Sequence, residues 1–287
     1  MGHVPQVVEA AVQAAPPRFG LEASARLITG NERWEDGIKW QPEQCAGAGR
    51  ISIDACDTLD PVAAASTPAE ATSHPFLVYA GETCSTFGIN ARDWNGRARR
   101  QLLATRSAQI AAELEGGSLG GDGLALTDAT SDVLTTSPVD PVHALALLEA
   151  GLAHYLAGRQ GMVHVTPQLL THLAAEGAVR LEGNFYTSPS GHLIVADAGY
   201  TGARPSGAGA NYAAQWAYGT AVVALRFGPI VFNPRTLDLA QGLLEAMDRS
   251  TNTVTVIAEQ TVVIQLDPCA HVAAQVDLAP PAIGGAS

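Results

Sequence analysis

The chain has 287 residues, 47% hydrophobic and 15% charged, proportions of a folded globular protein with a sizeable core rather than a disordered or fibrous one. Its 28 acidic residues outweigh 16 basic ones, for a formal charge of −12, the opposite of the balance by which a protein holds nucleic acid through its phosphates. No apolar run approaches the roughly 20 residues that cross a bilayer, and MGHVPQVVEAAVQAAPPRFG lacks the basic start and apolar block of an export signal, so a cytoplasmic product without a membrane partner is expected.

Residues 1–33 read as an extended arm, in which Pro5, Pro16 and Pro17 flank the Ala-rich VVEAAVQAA, a stretch with room for one short helix. Gln6 stands where a myristoylation signal needs Ser or Thr. From RWEDGIKWQPEQC to RISIDACD the chain breaks into short strand-like pieces, and residues 57–75, DTLDPVAAASTPAEATSHP, have no periodicity. Strand pieces around a long loop predict a projecting hairpin, closed by the buried strand PFLVYAGETCS. Residues 91–115 carry Trp94, Ala98, Leu102, Ile110 and Leu114 mostly four apart and stop at Gly116-Gly117, the pattern of one long helix. Its outer face is assigned Arg92, Arg97, Arg99, Arg100 and Arg106.

Two further helices carry start and stop signals: Asp140 and Pro141 before Gly158, and Thr166 and Pro167 before Gly177. GMVHV between them is a short buried strand. NFYTSPSGHLIVADAGY predicts a hairpin, AQWAYGTAVVALRFG strands, and NPRTLDLAQGLLEAMDRS a third helix started by proline. The chain closes on NTVTVIAEQTVVIQL, rich in β-branched residues, and AHVAAQVDL. Helices and strands alternate irregularly without an internal repeat, so the class is α+β.

The motifs that could carry chemistry are weak. GYTGARPSGAGANY lacks the Gly-Lys-Ser/Thr ending of a phosphate loop, and Tyr212 stands where the third glycine of a dinucleotide fingerprint belongs. Gly199, Gly202, Arg204, Gly207 and Gly209 are therefore read as parts of a mobile loop whose glycines, with Pro205, permit tight turns. Ser188 or Ser190 with His192 and Asp197 has the composition of a hydrolase triad, but no nucleophile elbow surrounds the serines. His143 and His154 lie eleven residues apart on one helix, about three turns, too far to share a metal. No motif calls for a metal or a cofactor. Cys45, Cys56, Cys84 and Cys269 form no C-x-x-C pair and are read as buried thiols, kept reduced in a cytoplasm, although Cys45 and Cys56 lie close enough in sequence to pair in a released particle. Lys39 is the sole lysine, bracketed by Trp34 and Trp40. These aromatics either anchor another chain or pack on their own subunit. The arginines of the long helix, in so acidic a protein, suit acidic residues of a neighbouring chain better than DNA.

The order of arm, projecting hairpin, long helix, Gly-rich joint, two helices, glycine-rich lobe and long closing strand resembles the Hong Kong 97-type fold of tailed-phage major capsid proteins, which encapsulins share. GMVHVTPQLLTHLAAEGAVRLEGNFYTSPSGHLIVADAGYTG, QWAYGTAVVALRF and AMDRSTNTVTVIAEQTVVIQLDPCAHVAAQVDL are similar to segments of actinobacteriophage capsid proteins. The resemblance implies an arm over 1–33, an extended loop and adjoining strand over 34–90, and a peripheral domain over 91–175 with the spine helix at 91–115. A mainly axial domain over 176–251, and a return strand and tail over 252–287, complete it. It implies a structural, non-enzymatic subunit that forms the pentamers and hexamers of an icosahedral head, in a virion assembled in the host cytoplasm. Decoration or scaffolding proteins, and packaged DNA held without sequence-specific contacts, would be its other partners. The alternatives are an encapsulin-like compartment shell and, from another class, a hydrolase using Ser188, His192 and Asp197. Trp34, Lys39, Trp40 and the five helix arginines become interface candidates. Some members of the fold cross-link neighbours through a lysine and an asparagine, which here would be Lys39 with Asn233 or Asn252.

Overall fold

The computed structural model describes residues 18–29, 34, 37–42, 70–85, 94–117, 119, 125–128, 131–205, 214–233, 247–248, 250–251 and 253–278. In chain order these form α1 (Leu21–Ser24), β1 (Arg26–Leu27), β2 (Ile38–Trp40), β3 (Ala71–Ser73), β4 (Phe76–Ser85) and α2 (Trp94–Gly116). Then follow β5 (Asp132–Val133), α3 (Pro141–Leu156), β6 (Gly161–Val165), α4 (Pro167–Ala175), β7 (Arg180–Glu182), β8 (Phe185–Thr187) and β9 (Leu193–Ala196). The last strands are β10 (Ala214–Ala221), β11 (Ala224–Asn233), β12 (Met247–Asp248), β13 (Thr253–Gln265) and β14 (His271–Asp277).

The local signals act as their chemistry requires. The Asp140 carboxylate accepts from the backbone N–H of Val142 and His143, both at 3.0 Å, and the Thr166 hydroxyl accepts from Leu169 N–H at 3.2 Å. Each side chain thus satisfies amides that the first helical turn leaves without carbonyl partners. Gly158 and Gly177, at φ +83° and +67°, follow α3 and α4 in the left-handed conformation that glycine adopts without strain.

A five-stranded sheet has the order β1-β11-β13-β12, with β4 on the other side of β13, and α2 packs across it. The antiparallel β4–β13 register runs from Phe76 opposite Val262 to Ser85 opposite Thr253. Strand β4 was expected to be buried; it is an edge strand, with Phe76, Val78 and Ala80 facing the core and Leu77 and Tyr79 exposed. The register of β11 against β13 shifts between Phe227 and Ile230, at Gly228-Pro229, where a proline that cannot donate is accommodated. Gln260 Nε2 donates to the Gly228 carbonyl there at 2.7 Å.

A seven-stranded sheet, β5-β14-β10-β6-β9-β8-β7, carries α3 and α4. One apolar core lies between α2 and the five-stranded sheet and reaches Met162 and Tyr218; the other lies between α3, α4 and the seven-stranded sheet. Helix α2 buries Trp94, Ala98, Leu102, Ile110 and Leu114, the stripe read from the sequence. Strands β2 and β3 pair antiparallel, Ile38 opposite Ser73, and make the base of the predicted hairpin.

Helices α3 and α4 and strand β6 share a sheet and a core with β7–β10. Several expectations change. The closing segment is two strands in different sheets, β13 in the first and β14 in the second. Met247 and Asp248, expected to end a helix, pair as β12 with β13, because the turn into the long strand offers them backbone partners; residues 234–246 lie outside the described residues. Cys269, in the turn between β13 and β14, is disulfide-bonded rather than a free thiol, since spacing along the chain does not report which sulfurs meet in space.

Candidate functional site

The site is a polar junction on α2, where residues 18–22, the segment after β9 and strand β13 meet. It begins with Arg106, four residues after Leu102 and four before Ile110, a charged group in the helix's apolar stripe. Arg106 Nε donates to Glu22 Oε2 at 2.8 Å and Nη2 donates to Glu22 Oε1, a two-pronged pair with α1. Nη1 donates to Gln260 Oε1 on β13 at 2.9 Å, and the guanidinium lies 4.6 Å from the centre of the Phe227 ring. Planarity and a fixed fork let arginine satisfy both partners while stacking.

The next residue, Ser107, donates to Asp197 Oδ2 at 2.6 Å. Asp197 is 1% exposed. It also accepts from Leu21 N–H at 2.9 Å and from Gly199 N–H at 3.2 Å, so one carboxylate ties the end of the N-terminal segment, the helix and the loop. Ala196 N–H donates to the Phe19 carbonyl at 2.9 Å beside it. Gly199 then touches the helix itself: a Cβ there would lie 2.0 Å from Ala108 O and 2.7 Å from Ala112 N. Only a residue without a side chain approaches a helix backbone so closely.

One turn further along α2 is Glu115. Its Oε2 accepts from Thr201 N–H at 2.8 Å and Thr201 Oγ1 at 2.7 Å; its Oε1 accepts from Gly202 N–H at 2.9 Å and Ala203 N–H at 3.3 Å. Gly202 sits at φ +72°, the left-handed step that turns successive amides toward one point and makes a nest for an anion. The glycine-rich segment thus has an anion site, and the anion is the protein's own glutamate.

Between these points Tyr200 reaches into the seven-stranded sheet. Its hydroxyl meets His164 Nδ1 on β6 at 2.8 Å, and His164 Nε2 meets Thr220 Oγ1 on β10 at 2.8 Å. Burial first, then the charge of His271, pushes the His164 pKa from 6.5 down to about 3, so the ring is neutral. Burial, with Asp197 and Glu115 nearby, holds the Tyr200 phenol protonated. Tyr218 donates to the Ala203 carbonyl, and burial raises its pKa as well. These groups are engaged with one another; what they do is hold four elements together.

The hydrolase constellation does not assemble. His192 Nδ1 accepts from Gly161 N–H at 2.9 Å, Ser188 Oγ accepts from His192 N–H at 3.2 Å, Ser190 is exposed, and Asp197 is committed to the junction. The serine and histidine serve a hairpin turn, because alternation along a strand does not aim three side chains at one point. Trp34, 8% exposed, packs against Gly228 of its own chain; Trp40 is half-buried and Lys39 exposed on β2. Arg97 pairs with Glu82 on β4, so it and Arg106 each meet a carboxylate within the chain. Arg99, Arg100, Arg204 and Asn233 are exposed. Arg92, Gly207, Gly209 and Asn252 lie outside the described residues. Gly199 meets a packing demand and Gly202 a backbone one. Among the described residues there is no cluster of metal-ligating side chains, and no helix is long and apolar enough to cross a membrane.

No protein-family model matches the chain, and no curated protein sequence does. Solved structures do. A protein of Gordonia phage Cozz aligns at TM-score 0.53 and 16% identity, over 96% of this chain and 92% of its own. The capsid of Ralstonia phage GP4 aligns at TM-score 0.54 and 10% identity, over 96% of each chain. The SrpI encapsulin of Synechococcus elongatus PCC 7942 aligns at TM-score 0.57 and 12% identity, over 96% of this chain and 94% of its own. The chain has the α+β, Hong Kong 97-type capsid fold that its order of elements implied.

Proposed function

We propose that this chain is the major structural subunit of a tailed-phage head, a non-enzymatic protein that assembles into the pentamers and hexamers of an icosahedral shell around double-stranded DNA. The observation that carries the reading is the likeness over 96% of the chain to a phage capsid, together with the commitment of the buried polar groups to internal joints rather than to a reaction. In this reading α2 and the five-stranded sheet form the peripheral domain, and the seven-stranded sheet with α3 and α4 forms the axial domain around the symmetry axes. The hairpin based on β2 and β3 is the extended loop, and the segment before α1 is the arm. The exposed Lys39 and half-buried Trp40 on the hairpin, and the exposed Arg99 and Arg100 on α2, are interface candidates. An acidic subunit suits a DNA container, because a strongly basic wall would bind the genome and impede packing and release. Many weak, repeated contacts then sum to a stable shell.

A second reading, an encapsulin-like compartment, is favoured by the TM-score of 0.57 to the SrpI encapsulin. Electron microscopy of the expressed protein tests both. Rings or closed shells are expected; monomers under every assembly condition tried would refute the shell role. Particles purified from their natural source decide between the readings: packaged DNA marks the head, and cargo protein without DNA the compartment.

A further inference from the structure

We propose that the Glu115 carboxylate is a releasable clasp between α2 and the seven-stranded sheet, and that Asp197 is the fixed point about which the released segment turns. Why such a joint should open rests on the shell reading, in which one sequence occupies non-equivalent positions; the clasp itself is a property of the single chain.

The two carboxylates sit on one segment, residues 197–203, which lies along α2 from Ser107 to Glu115. Their surroundings differ in kind. Asp197 takes its donors from three places, Leu21, Ser107 and Gly199, and the packing of Gly199 on the helix backbone fixes the chain beside it. Among the described residues, the Glu115 carboxylate takes all its hydrogen bonds from residues 201–203. Losing that one segment therefore loses them together. No ion pair with Glu115 exists among the described residues, and the carboxylate stands in the last turn of α2, where the helix dipole is negative and disfavours an anion. Its charge is balanced by three oriented amides and the Thr201 hydroxyl, a weaker hold than a buried arginine gives.

Opening the clasp exposes the amides of Thr201, Gly202 and Ala203 but leaves Asp197, Gly199 and both apolar cores in place. The segment stays tied to β10, where Tyr218 donates to the Ala203 carbonyl and Trp216 N–H donates to the Gly202 carbonyl at 3.1 Å. The tie from Tyr200 to His164, nearer Asp197, holds the sheet to the pivot. The opening is confined to the segment, because the core that α2 shares with Met162, Val195 and Tyr218 of the seven-stranded sheet stays closed, a local transition of the kind that exchange methods resolve from global unfolding.

Hydrogen exchange by mass spectrometry on the full, unassembled chain at low denaturant tests this. In the wild type, the amides of 201–203 are expected to exchange by local opening, with little dependence on denaturant, while Leu21 and the amides of β13 and β14 exchange only with global unfolding. Glu115→Gln keeps the side-chain volume but turns an amide donor toward the nest; it should speed exchange at 201–203 on the order of ten- to a hundredfold, the size of losing bonds to a charged acceptor, and leave β13 and β14 protected. Ser107→Ala, which loosens the pivot, should instead raise exchange at Leu21. Protection at 201–203 that depends on denaturant as strongly as that of β13 would overturn the proposal, as would a Glu115→Gln chain that loses protection everywhere. Should that variant fail to fold, the denaturant dependence of the wild type still decides. A clasp found in a chain that never forms shells would separate failure of the shell reading from failure of this one.

Discussion

Replacing Gly199 by alanine tests the close approach on which the junction depends. The added methyl would lie 2.0 Å from Ala108 O and 2.7 Å from Ala112 N, the two ends of one i→i+4 hydrogen bond of α2, where ordinary contacts need about 3.4 Å or more. Neither atom can swing aside as a side-chain tip could, so the segment must retreat by about 1 Å or the helix bond must break. Retreat pulls Asp197 from Ser107 and Leu21. Overpacking of a rigid site costs about 1–3 kcal/mol and a lost buried hydrogen bond about 1 kcal/mol more, so a loss of roughly 3 kcal/mol is expected. For a chain of this size that lowers Tm by roughly 6–12 °C. Gly116→Ala is the control: no atom lies within 4 Å of its added methyl, and a change within about 1 kcal/mol in either direction follows from helix propensity. Denaturant unfolding of the unassembled protein, read by circular dichroism, measures both. A Gly199→Ala protein within 1 kcal/mol of wild type would refute the packing argument.

Other outcomes follow from the same geometry. His164 titrates far lower when folded, about 3, than when unfolded, 6.5; below 6.5 the unfolded chain binds the extra proton, so stability falls with pH through that window by about 1.4 kcal/mol per unit. His164→Gln should flatten the slope of the unfolding midpoint between pH 6 and 4, and an unchanged slope would remove His164 as its source. Arg106→Lys, which keeps the charge but loses the fork to Glu22 and the Phe227 face, should cost about 2 kcal/mol by the same denaturant assay; a neutral outcome would show that charge alone is needed. His192→Ala strands the Gly161 amide and should cost about 1–3 kcal/mol of stability, while ester hydrolysis by the purified protein stays at background in both forms; a wild-type activity abolished by this change would revive the hydrolase reading. Denaturing electrophoresis of assembled particles should give a single band at monomer mass, and a ladder lost in Lys39→Arg would instead establish a cross-link.

What was legible in the sequence is what short-range chemistry controls. Asp140, Thr166, Gly158 and Gly177 act within one turn of themselves, so the starts and ends of α3 and α4 could be read directly. The stripe of α2 follows from the helical period alone. The order of elements then carried the fold, because few folds place a long helix, a glycine-rich lobe and a final long strand in that succession. Sheet membership was not legible: β13 and β14 are separated by one short turn yet pair in different sheets, and both read simply as strands, β13 rich in Val, Thr and Ile and β14 in Val and Ala. Exposure of β4 was missed for a related reason, since an apolar run does not say which of its faces finds a partner.

The junction divides along the same line. Arg106 had a signal, because a charge at the four-residue step of an otherwise apolar stripe must meet buried partners or break the helix; counting it with the outer arginines overlooked that. Glu115 had none. Its partners, 86 to 88 residues away, are one threonine hydroxyl and three backbone amides, and amides carry no identity that a sequence could display. The glycines offered only half of the answer: Gly-Tyr-Thr-Gly marks a backbone that turns its amides together or passes close to another, but not whether a phosphate or a carboxylate fills the nest. Here the occupant sits on the long helix, so the residues that would have marked a nucleotide site instead set how one half of the molecule is fastened to the other.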